Sequence, residues 1–123
     1  MPQEQVIKAA MQQYIDRFNM DNAEQLLSMF AENATVEDPV GKTPLSGKAA
    51  IEAFYRQVMN GNTRIKLDGP IRGSHGDSGA MCLSIETKTE EKHLLIHVIE
   101  VMTFNELGQI ASMKAYWGPS DME

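Results

Sequence analysis

Apolar residues recur with a helical rhythm in the first half of the chain and with a strand rhythm in the second. Over residues 3–20, Val6, Ile7, Ala10, Met11, Tyr14, Ile15 and Phe18 return at three- and four-residue steps, which puts them on one helix face. Pro2 suits the first turn of that helix, and Glu4 sits near its positive end. Asp21 with Glu24 three residues later reads as a capping box, so a second helix is expected from about Asn22 to Phe30, burying Leu26, Leu27 and Phe30. Ser46 is the expected N-cap of a third helix. Its buried stripe is Ile51, Phe54, Tyr55, Val58 and Met59, and Asn60-Gly61-Asn62 ends it.

Strand patterns follow at Thr63–Leu67, Ile71–His75, Ala80 to about Lys88, His93–Phe104 and Gln109–Trp117. A shorter one, Thr35–Gly41, reads T-V-E-D-P-V-G between the second and third helices. The pattern predicts one α+β domain over residues 1–123, with three N-terminal helices packed on a curved, mostly antiparallel sheet. The long strand is apolar on both faces: Leu94, Ile96, Val98, Met102 and Phe104 on one, Leu95, Ile99 and Val101 on the other. An antiparallel strand in a small domain usually has one wet face. Helices are therefore expected to cover one side and a second copy the other, giving a homodimer built sheet to sheet.

Composition narrows the partners. A chain of 123 residues holds one core, not two. Its net charge of −6, with no cluster of Lys or Arg, argues against nucleic acid or an anionic membrane as partner. The single cysteine, Cys82, excludes an intramolecular disulfide; lying between Met81 and Leu83, it reads as a buried filler. The N-terminus lacks a basic start and apolar run, and no apolar stretch approaches the roughly 20 residues that cross a bilayer. A cytoplasmic protein is expected.

Three polar groups stand where the periodicity asks for hydrocarbon. Tyr14 lies on the first helix's buried stripe, Asp38 between Val36 and Val40, and Glu100 between Val98 and Met102. Each has a structural reading beside a chemical one. Tyr14 could be a core residue whose hydroxyl finds a backbone acceptor, and Asp38 could cap the Pro39–Lys42 turn. Glu100 has no basic residue within four positions along its face, so it must be paired, protonated or at an edge. Chemically, a neutral carboxyl beside a phenol supplies two donors for an oxygen that becomes negative, while an ionised Asp38 accepts a proton. His93 and His97 share a strand face but stand roughly 13 Å apart at about 3.3 Å per residue, too far to grip one metal. Both are expected to be exposed or at an interface; His75 lies in a glycine-rich loop, and no metal site is expected.

These pieces resemble the bacterial ketosteroid isomerases of the NTF2-like superfamily over nearly the whole chain. The matching segments are Gln13-Tyr14-Ile15, Ala34 through Gly41, Ala53-Phe54-Tyr55 and Ala115-Tyr116-Trp117. That family is itself the established example of a tyrosine and a protonated acid forming an oxyanion hole. The resemblance implies a conical fold, usually dimeric, and isomerisation of a 3-oxo-Δ5-steroid to its Δ4 isomer without a cofactor. It makes Asp38 the base that moves a proton from C4 to C6, Tyr14 and Glu100 the oxyanion donors, and Tyr55 a support for Tyr14. Phe30 stands where some relatives carry a further tyrosine. Glu100 departs from the family's aspartic acid by one methylene. Val40, Phe54, Met102 and Trp117 are the expected substrate-binding residues. The alternatives are another enzyme of this fold, of polyketide cyclase or epoxide hydrolase type, and a non-catalytic lipid-binding dimer.

Overall fold

The computed structural model describes residues 3–123, so the expectation for Pro2 lies outside the described residues. Helix α1 (Glu4–Asn19) turns Ile7, Met11, Tyr14, Ile15 and Phe18 inward, as their spacing predicts. Helix α2 (Ala23–Leu27) is shorter than its pattern suggests and is capped by Asn22, whose side chain accepts the Gln25 N–H at 3.2 Å. Asp21 takes a left-handed φ of 55° instead, and its carboxylate receives Arg64 at 3.2 Å. Phe30 opens strand β1 (Phe30–Glu37) rather than closing a helix. The reason is long-range: Ile110 donates its N–H to the Met29 carbonyl at 2.8 Å, and sheet pairing claims the backbone from there.

Strand β2 (Leu45–Ser46) pairs antiparallel with β1, so Ser46 is a strand residue and not a cap. Gly47, with φ 88°, leads into α3 (Lys48–Val58) without any side-chain cap. The third helix therefore follows two strands. Strands β3 (Thr63–Leu67), β4 (Ser78–Lys88), β5 (His93–Phe104) and β6 (Ile110–Tyr116) complete a six-stranded sheet of order β2-β1-β6-β5-β4-β3. Every neighbouring pair is antiparallel except β1 and β6, which run parallel. The strand expected over Ile71–His75 does not form. Only Arg72 bridges to Ala80, and the loop beyond is folded by the Ser74 hydroxyl donating to the Ser78 carbonyl at 2.6 Å.

Alternation holds along β5. Val98, Glu100, Met102 and Phe104 are buried on one face. His93, His97 and Ile99 face outward, His93 against Glu86 and His97 between Ser84 and Glu123. Cys82 pairs with Ile99 on this outer face and is exposed, correcting the expected buried filler: β4 presents Met81 and Leu83 to the core and Cys82 away from it. No described helix is long and apolar enough to cross a membrane.

Candidate active site

Two helices, the ends of two strands and the middle of a third bring the polar groups together. Tyr14 comes from α1 and Tyr55 from α3; both are fully buried, with their hydroxyl oxygens 2.7 Å apart. Phe54 and Phe30 pack against the Tyr55 ring at centroid distances of 5.0 and 5.6 Å, which fixes where its hydroxyl points. Burial, with Glu100 next in effect, holds both tyrosine pKa values well above the ordinary 10.0, so both phenols keep their protons.

Glu100 sits mid-strand between Met81 on β4 and Ala115 on β6 and is 1% exposed. Neither neighbour offers a polar atom. Burial, and then the charge of Asp38, pushes its carboxyl up to about 8, so it is neutral at pH 7. Its Oε1 is buried without a hydrogen-bond partner among the described residues. Such an atom costs free energy unless something entering the cavity completes it.

Asp38 follows the last residue of β1 and receives the Trp117 indole N–H on Oδ1 at 2.9 Å. Burial raises its pKa, while the Trp117 hydrogen bond and the Lys42 charge partly oppose the rise. The turn-capping reading belongs to its neighbour: the Glu37 carboxylate accepts the Gly41 N–H at 3.1 Å. Among the described residues the Trp117 indole is the one hydrogen-bond donor to the Asp38 carboxylate.

Tyr14, Asp38, Tyr55, Glu100, Phe54 and Trp117 all line one cavity of about 420 Å³, within the range that holds small apolar ligands. Two predicted lining residues lie elsewhere. Val40 falls beyond the end of β1, so strand alternation no longer governs it; it is 36% exposed, with its N–H on the Ala115 carbonyl. Met102 registers with Gly79 and Met113 and is fully buried in the core instead. The cavity extends the other way along β5, past Ile96 and Leu94 to Lys92, and across to Phe18 of α1 and Ile85 of β4. Strand parity with Glu100 was a usable signal for Leu94 and Ile96. No group of three His, Cys, Asp or Glu among the described residues could hold a metal ion.

An aspartate, a carboxyl of raised pKa and two protonated phenols lining one cavity are a set of groups suited to proton transfer at a carbon beside a carbonyl. Residues 11–113 match the model of the SnoaL-like domain. The chain belongs to the SnoaL-like, NTF2-like family. It is 34% identical over 116 residues to a steroid Delta-isomerase of Nocardioides simplex, covering 94% of this chain and 93% of that one. The ketosteroid-isomerase resemblance read from the sequence therefore stands. Other members differ in chemistry. The epoxide hydrolase LasB of Streptomyces lasalocidi is 27% identical over 98% of this chain, which spans 44% of that protein. The solved structure of SalBIII, an epoxide hydrolase/cyclase-like enzyme of pyran ring formation in polyether salinomycin, superposes with a TM-score of 0.91 at 31% identity, covering 99% of this chain and 98% of that one.

Proposed function

We propose that this protein is a steroid Δ-isomerase, converting 3-oxo-Δ5-steroids to 3-oxo-Δ4-steroids inside a cone formed by the sheet and helices. The substrate's 3-oxygen sits against the Tyr14 and Glu100 hydroxyl groups. The Asp38 carboxylate takes a proton from C4, and the electron pair moves through the carbonyl to give a dienolate held by those two donors. Protonated Asp38 then returns the proton to C6, shifting the double bond into conjugation. Atoms and charge balance without a cofactor. The observation that carries this reading is the buried Glu100 carboxyl, its Oε1 unmatched among the described residues, in one cavity with Asp38. The 34% identity to a steroid Delta-isomerase supports it. Two copies would join through the open sheet face, where Ile99 and Tyr116 are register partners and 49% and 46% exposed. The single free cysteine, Cys82, fits a reducing, cytoplasmic setting.

The test is ultraviolet absorbance of a 3-oxo-Δ5-steroid mixed with the protein. The conjugated enone should grow in, and Asp38→Asn should abolish the signal while ligand binding persists. Wild-type turnover no faster than buffer would end the proposal.

The likeness to SalBIII favours a second reading, epoxide-opening cyclisation. Here neutral Glu100 protonates the epoxide oxygen while Asp38 removes the proton from an attacking hydroxyl. Turnover of a hydroxy-epoxide, with none of the steroid, would decide for it.

A further inference from the structure

The cavity continues well beyond the donors. Along the inner face of β5 it runs from Glu100 past Ile96 to Leu94, six residue steps that span roughly 20 Å at about 3.3 Å each. A fused four-ring nucleus is a zigzag of roughly nine single bonds of about 1.5 Å, and end to end it covers about half that distance. The stretch between is hydrocarbon, from Ile65, Ile85 and Ile96. The far end is polar. Thr63 and Thr87 place their hydroxyls 2.9 Å apart there, and Lys92 closes the turn between β4 and β5.

Lys92 has no carboxylate within 4.0 Å among the described residues, although Glu90 and Glu91 belong to the same turn. A neutral ketone or alcohol at this end would need only a threonine hydroxyl. An anion would need a local cation, because the chain as a whole carries −6 and repels it.

We propose that the ligands of this cavity are ring systems extended at the end remote from the oxyanion donors by a side chain ending in a carboxylate, received by Lys92 and the Thr63–Thr87 pair. The inference rests on the isomerase reading only for the ring end. Lys92 is a specificity residue in it, and takes no part in proton transfer.

Binding tests it separately from turnover. Two phenolic steroids, which the enzyme cannot isomerise, differ only in a terminal carboxylate and its methyl ester. Both are titrated against the wild type, Lys92→Met and Lys92→Glu by calorimetry. The acid should bind about threefold to fivefold more tightly than the ester to the wild type, the range expected of a partly exposed ion pair. Salt at about 0.5 M should close the gap. Lys92→Met should remove it and Lys92→Glu invert it. Equal affinities in the wild type, a gap that survives Lys92→Glu, or no binding of either compound overturns the proposal. Failure of the isomerase reading would show as absent enone formation, leaving this affinity ratio to be read on its own.

Discussion

The Trp117 indole donates to Asp38 at 2.9 Å across 79 residues of sequence, and this bond opposes the burial that raises the aspartate's pKa. Trp117→Phe keeps the aromatic wall but removes the donor. A hydrogen bond to a charged group contributes about 1.5–3 kcal/mol, and each pKa unit corresponds to about 1.4 kcal/mol. The acid limb of kcat/KM should therefore move up, measured as a pH profile on the 3-oxo-Δ5-steroid. An unmoved limb would show that the base being titrated is not Asp38.

Glu100 should set the alkaline limb. Its carboxyl titrates at about 8 and is a donor only when protonated. Activity should fall as pH rises through that value, and Glu100→Gln, which still donates but does not titrate, should lose the limb.

The same group links pH to stability. Folding raises the Glu100 pKa from an ordinary 4.5 to about 8, so the folded state binds its proton more tightly. The contribution is fully present below the unfolded value and is lost at up to about 1.4 kcal/mol per pH unit as pH rises through the window. Asp38, also raised, acts with the same sign. Urea midpoints should be lower at pH 8 than at pH 5 for the wild type, with a smaller difference in Glu100→Gln.

Tyr14 and Tyr55 should differ in kind. Loss of a direct oxyanion donor costs about a hundredfold to a thousandfold in kcat, and Tyr14→Phe is expected there. On the proposed mechanism Tyr55 would act through the Tyr14 hydroxyl, 2.7 Å from its own. Tyr55→Phe should cost nearer tenfold in kcat, with about 1–3 kcal/mol of stability because a buried hydroxyl loses its partner. Steady-state kinetics beside urea unfolding reads both.

Gly79 lets α1 come close to β4. A Cβ there would lie 2.5 Å from Met11 Sδ and 3.2 Å from the Arg72 carbonyl oxygen. The sulfur can move, but the backbone oxygen yields less. Gly79→Ala should destabilise by about 1–3 kcal/mol, read as a lower urea midpoint at pH 7.

The sequence made short-range features legible and long-range ones opaque. Helix periodicity placed Tyr14 and Tyr55 inward, and strand parity put Glu100 on the buried face, because both depend only on local repeat geometry. Parity could not say which way along β5 the cavity opens, so Met102 was expected in the lining where Leu94 and Ile96 stand. That direction depends on tertiary packing: Ile7 and Met11 of α1 close over Gly79, the register partner of Met102. Phe30 carried a helical spacing but is held in a strand by pairing with Ile110, 80 positions later. Ser46 looked like a cap but was claimed by β1. The Trp117 bond to Asp38 left no mark in either segment alone.

The parallel course of β1 beside β6 has a bearing on all of this chemistry. Strands that run the same way finish at the same rim, so the residue after Glu37 and the residue after Tyr116 emerge side by side. Had the crossover been a hairpin, the indole would have left at the opposite rim, and the aspartate would have only the Lys42 charge to set against its burial. The acidity of one side chain is thus written into the direction of travel of a strand that does not contain it.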